Sequence, residues 1–137
     1  MSSTATNDND NNSKFLSTFT KNILDSHKSI RWVGIIDQNG IIINEQYREG
    51  LKPLLTKEEN QDYAINTITR HKTRSKFEPK IGKLTYAFAR YKNLSRFTIS
   101  MNENYYLLLT MDFEEKNFDK IIMEKILPVV KEEKEKF

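Results

Sequence analysis

Apolar residues recur along this chain in two different periods, and the switches between them outline a fold. Phe15, Leu16, Phe19, Ile23 and Leu24 fall at helical spacing and predict a first helix over about residues 14–28, with Asn12 or Ser13 placed to cap its first amides. Two β-rich runs, 30–36 and 41–47, flank Gln38-Asn39-Gly40. Asn-Gly tolerates positive φ, so the pair reads as a hairpin. After a loop holding Gly50 and Pro53, Thr56-Lys57-Glu58-Glu59 has the spacing of a capping box and opens a second helix with the stripe Tyr63, Ala64, Ile65 and Ile68. Phe77-Glu78-Pro79 ends that helix, because proline and the residue before it both resist helical backbone.

Alternation returns at Gly82, where Leu84, Tyr86 and Phe88 interleave with Thr85, Ala87 and Ala89 in a third strand. Asn93-Leu94-Ser95 and Asn102-Glu103-Asn104 read as turns around a fourth strand, Arg96 to Met101. The fifth, Tyr105 to Met111, is apolar on both faces through Leu107-Leu108-Leu109 and is expected at the centre of a covered sheet. Asp112-Phe113-Glu114-Glu115 has the form of a second capping box before a last helix with the stripe Phe118, Ile121, Ile122 and Ile126, which Pro128 should kink or end. The sum is an α+β domain, order α-β-β-α-β-β-β-α, with a five-stranded antiparallel sheet and flanking helices. Its expected limits are residues 13–128, between a disordered polar lead at 1–12 and a charged tail at 129–137, frayed helix or disordered.

Composition removes whole classes of chemistry. The chain has 137 residues, 37% hydrophobic and 30% charged, and no cysteine, so disulfides, thiolate metal sites and cysteine nucleophiles are out. Its four glycines fit neither a phosphate loop, a dinucleotide fingerprint nor a nucleophile elbow. His27 and His71 fall on different predicted helices without metal-binding spacing, and no catalytic, cofactor or metal residue is assigned. Neither a transmembrane run nor a signal peptide is present, which leads to the expectation of a cytoplasmic protein. The net charge of +3 hides a division: residues 70–96 carry nine basic residues against one acid, a local +8 that leaves the remainder at −5. Cations at a helix end and lysines guarding a sheet edge account for much of this, yet such a field also steers anionic partners. Trp32 reads as a half-buried core aromatic ahead of a ligand platform, and Gly34 as a bulge or close packing ahead of a ligand approach.

The run from Ile30 to Gly40 (IRWVGIIDQNG), then Gly50-Leu51-Lys52-Pro53-Leu54, then Gly82-Lys83-Leu84-Thr85-Tyr86 with Arg90 and Lys92, resembles a group of small thaumarchaeal proteins. Their topology in turn resembles the roadblock/LC7 fold, a profilin-like domain, over about residues 14–127. The resemblance implies a non-enzymatic interaction module that forms a homodimer by pairing its second helix and third strand across a twofold axis and serves small GTPases or other regulatory partners. Carried onto this sequence, the interface is Tyr63, Ile65 and Ile68 of the helix and Leu84, Tyr86 and Phe88 of the strand.

A twofold axis sets the second helix antiparallel to its copy, so Glu58, Glu59 and Asp62 would face Arg70, Lys72 and Arg74 of the other copy. The remaining cations, Lys76, Lys80, Lys83, Arg90, Lys92 and Arg96, form a basic patch. That patch supports an alternative reading as a binder of nucleic acid or a membrane surface, which is not favoured for nucleic acid because the aromatic run Tyr86 to Tyr91 lacks the glycine of RNA-recognition strands. A second alternative is a small-ligand sensor of PAS-like type near Trp32.

Overall fold

The computed structural model describes residues 2–137, with side chains from Asn12 onward. In chain order it contains α1 (Ser2–Asp25), β1 (Ile30–Asp37), β2 (Ile42–Tyr47), α2 (Lys57–Ser75), α3 (Glu78–Ile81), β3 (Ala87–Arg90), β4 (Leu94–Ser100) and β5 (Tyr105–Asp112). A last helical run follows: α4 (Phe118–Ile121), a π-helical turn (Ile122–Ile126) and α5 (Leu127–Glu133), then a 3-10 turn (Lys134–Lys136). The strands form one antiparallel sheet in the order β2-β1-β5-β4-β3, so the order and topology match the hydrophobic pattern. β5 is central, as its three successive leucines require, and all three are buried.

The two faces of the sheet are covered unequally. On one, Val33, Ile35, Phe97, Ile99, Leu107 and Leu109 pack against α1 and the last helical run in a single core cluster. On the other, α2 alone seats Ala64 and Ile68 on Trp32, Ile36, Tyr106 and Leu108. Each such side chain contributes about 1.5–3 kcal/mol on burial. Because one helix cannot span five strands, the β4 and β3 strip of that second face is covered by the overhanging edge of α2 and by Leu54 and Leu55 of the loop before it. Gln61 fixes the helix's position: its Nε2 donates to Gly40 O at 2.7 Å and its Oε1 accepts from Ile42 N–H at 3.1 Å. Gly40, at φ 83°, lets the hairpin touch the helix backbone, since a Cβ there would stand 2.6 Å from Ile65 Cα.

Several local expectations are corrected. Asn12 and Ser13 lie within α1 rather than capping it, and the expectation of a disordered lead at 1–12 falls almost wholly on residues whose side chains are outside the description. The box at Thr56 forms in both directions, but Asp112 caps nothing: its carboxylate accepts from Arg48 at 2.9 and 3.0 Å and from Arg31 at 3.2 Å, and the last helix starts at Phe118 after Asn117. Pro128 neither ends nor breaks that helix. It sits in the first turn of α5, and the π-turn before it, closed by Leu127 N–H to Ile122 O, widens the coil where the ring would meet a carbonyl. The charged tail continues as α5, and Phe137 sets its ring 5.0 Å from Phe15 and 4.9 Å from Phe19. Trp32 is fully rather than half buried, at 3% exposure, and Gly34 is there because a Cβ would collide with that indole. His27 lies in the turn after α1, where its Nδ1 accepts from Ser29 N–H at 3.1 Å.

Candidate functional site

The site grows from one stripe of α2. Residues 63, 67, 70 and 74 lie at intervals of four, three and four, so their side chains stack along a single edge of the helix. Asn60, Ala64, Thr67 and Ile68 face the sheet, while Tyr63, Arg70 and Arg74 project over β3 and β4. Beneath them Arg96 rises from β4. Its cross-strand partners are Ala89 on β3 and Thr110 on β5, so it stands on the α2 face and not on the open surface.

Arg96 is 7% exposed. Its guanidinium carbon lies 3.8 Å from the Tyr63 ring centroid and 5.4 Å from that of Trp32, and one nitrogen donates to Asn60 Oδ1 at 3.1 Å. Burial pulls its pKa below the ordinary arginine value, opposed by the surrounding tyrosines. The same burial raises Tyr63, helped by its hydroxyl pairing with Tyr91 at 3.3 Å, and raises Tyr47 to about 12 with Glu45 adding to the effect. Arg70 also lies over Tyr63, 4.8 Å from its centroid, and donates to Thr67 Oγ1. The indole N–H of Trp32 donates to Glu45 at 3.1 Å, which fixes the ring under Arg96.

The predicted interface residues do not share one surface. Ile68 is buried against the sheet and belongs to the core, whereas Ile65, at 42%, is open to solvent. β3 begins only at Ala87, so Leu84 and Tyr86 precede it: the backbone N–H of Leu84 is taken by Glu78 Oε2 instead of a neighbouring strand. Tyr86 bonds Asp119 through its hydroxyl, and with the half-exposed Phe88 it packs beside Phe97 on the face opposite α2. Glu58, Glu59, Asp62, Lys72 and Arg74 are exposed along α2, Glu59 being tied into the capping box. Of the basic patch, Lys76, Lys80, Lys83, Arg90 and Lys92 are exposed, while Arg96 is removed from it by burial. Asn60, Tyr91, Leu54 and Leu55, which complete the surroundings of Arg96, were not singled out by the sequence. The available signal was the period-two pattern, which puts Arg96 on the same side of its strand as Leu94 and Thr98.

Among the described residues no group of three His, Asp or Glu side chains is placed to hold a metal ion, and no helix is long and apolar enough to cross a membrane. No family model matches the sequence, and no curated protein matches it. Solved structures do. A roadblock/LC7 domain from Streptomyces avermitilis superimposes with a TM-score of 0.69 at 8% identity, covering 88% of this chain and 96% of that one. MglB from Myxococcus xanthus gives 0.61 at 13% identity over 89% and 93%, and an MglB described in a tetrameric arrangement gives 0.62 at 11% over 84% and 87%. At these identities the likeness establishes the fold, which is that of roadblock/LC7 domains.

Proposed function

We propose that this protein is a non-enzymatic interaction module that self-associates through α2 and the outer edge of β3 and presents the resulting surface to a small GTPase or another regulatory protein. The observation that carries the reading is the free edge of β3. It ends the sheet at four residues, and beside it the half-exposed Phe88 leaves apolar surface uncovered. A twofold axis beside this edge would extend the sheet and set two 19-residue helices antiparallel. The tetrameric arrangement described for an MglB of the same fold supports self-association of this kind.

Light scattering after gel filtration tests it. A dimer is expected, weakened by Phe88→Asp at the β3 edge. A monomer at every concentration and salt refutes the self-association. The exposed lysines at 76, 80, 83 and 92 keep surface attraction to anionic polymers as a second reading. Its mark is affinity that falls steeply with salt.

A further inference from the structure

Three arginines converge on one cleft whose lining contains no carboxylate. Arg70 and Arg74 overhang it from α2, Arg96 forms its inner wall, and the paired Tyr63 and Tyr91 hydroxyls close one end around a volume of about 140 Å³. Among the described residues none of the three arginines takes part in an ion pair. A guanidinium carries five N–H donors, and the one protein acceptor found for Arg96 is Asn60. Buried charge is normally paired, because desolvation costs more than neutral partners return. The faces of Tyr63 and Trp32 offset part of that cost, and the nearby charge of Arg70 adds to it. An oxyanion in the cleft would accept from the free donors and offset both the desolvation of Arg96 and the repulsion from Arg70.

A second cavity of about 260 Å³ adjoins the cleft, sharing Tyr63, Tyr91 and Arg96 and otherwise walled by Leu54, Leu55 and Leu94 with Asn93. Basic head site and apolar annex together define the complementary shape: an anionic group attached to an apolar or aromatic body. We propose that this chain binds a small organic oxyanion, with its phosphate or carboxylate held by Arg70, Arg74 and Arg96 and its apolar body lodged against Leu54, Leu55 and Leu94. Guanidinium forks suit either head group, and the tyrosine hydroxyls add donors at the rim. All of these groups come from a single copy, so the site does not depend on self-association.

The lone tryptophan is a built-in reporter, since its ring lies 5.4 Å from the Arg96 guanidinium. The full chain is titrated with phenyl phosphate, 3-phenylpropionate, inorganic phosphate and, as a neutral control, benzyl alcohol. Trp32 emission and calorimetry are recorded, with light scattering on the same samples. Saturable one-to-one binding of phenyl phosphate or 3-phenylpropionate is expected, about tenfold or more tighter than inorganic phosphate, which has no body to bury. Whichever organic anion binds identifies the head group. Arg70→Gln and Arg74→Gln, on the helix surface, should each weaken it about tenfold or more with the circular dichroism spectrum unchanged, and Arg96→Met should abolish it. Absence of saturable binding by both organic anions at low salt overturns the proposal. So does equal binding of benzyl alcohol, or affinity indifferent to both glutamine variants. A monomer that binds the anion sinks only the self-association.

Discussion

Replacing Gly34 with alanine should displace the one tryptophan of the chain. Gly34 lies in the middle of β1 with ordinary extended backbone, so the substitution introduces no φ penalty, only a methyl group. That methyl would stand 2.5 Å from Trp32 Cζ2 and 2.6 Å from Cη2, roughly 1 Å inside the ~3.5–4.0 Å at which carbon atoms pack favourably. Normally the far end of a side chain yields cheaply, but this indole is 3% exposed, bonded to Glu45 and covered by Arg96. Overpacking of such a ring costs about 1–3 kcal/mol, and alanine in place of a strand glycine returns about 0.5–1 kcal/mol, for a net loss of about 0–2.5 kcal/mol. For a domain of this size that lowers Tm by up to about 10 °C. Urea and thermal unfolding, followed by circular dichroism and tryptophan emission, measure the loss, and emission should move as the ring shifts. Trp32→Phe removes both clashing atoms, so in that background Gly34→Ala should be neutral or stabilising, read by circular dichroism. Equal cost in the two backgrounds would refute the clash as its cause.

Four further substitutions probe other parts of the structure. Asp112→Asn removes charge-assisted bonds to Arg31 and Arg48 and should cost about 1–3 kcal/mol in urea at neutral pH. Because the Arg48 bond, and after it Arg31, holds Asp112 below its ordinary 3.8 despite partial burial, its stabilisation is complete above 3.8 and fades as pH falls through the lowered value, so the variant's stability should change less than the native protein's across that acid range. Ile68→Ala should cost about 2–4 kcal/mol as a core truncation, whereas Ile65→Ala on the open face should change unfolding by less than about 0.5 kcal/mol; similar losses at both positions would contradict the burial. Arg96→Met loses cation–π contacts of about 2 kcal/mol and a bond to Asn60 of about 1.5–3 kcal/mol, but recovers a desolvation penalty of several kcal/mol, so stability should shift by less than about 2 kcal/mol in either direction. A loss above about 4 kcal/mol would show that the cation is needed to hold the fold together.

The sequence was legible where the determining chemistry is local. Hydrophobic period separates helices from strands because it reports which face is buried, and the box at Thr56 forms because its two partners are three residues apart. An identical spacing at Asp112 failed because a stronger partner arrives from elsewhere in the chain: Arg31 and Arg48 lie 81 and 64 residues away, and no local pattern announces them. β3 is shorter than its alternation suggests for a related reason, since Glu78 captures the Leu84 amide that would have extended the ladder. The candidate site was the least legible part. Counting charges placed Arg96 with its exposed neighbours, as most arginines would be, and only the packing of β4 under α2 shows otherwise.

Arg96 therefore changes the meaning of the basic segment. Eight of its nine cations can be satisfied by water, by a helix C-terminus or by the need to keep a sheet edge soluble, and none of those explanations requires a partner. The ninth has little access to water, and the protein offers it two aromatic faces and one amide oxygen in place of a carboxylate. An apolar side chain would fill the same space beside Trp32 and Tyr63 without a desolvation cost, so stability alone gives no reason for a guanidinium there. Function does give one, since a cation held against two aromatic rings, with most of its donors free of protein partners and two more arginines at the rim, is pre-ordered for an oxyanion before one arrives. The anionic partner suggested by the uneven charge is thus better sought in the cleft beneath α2 than across the exposed lysines.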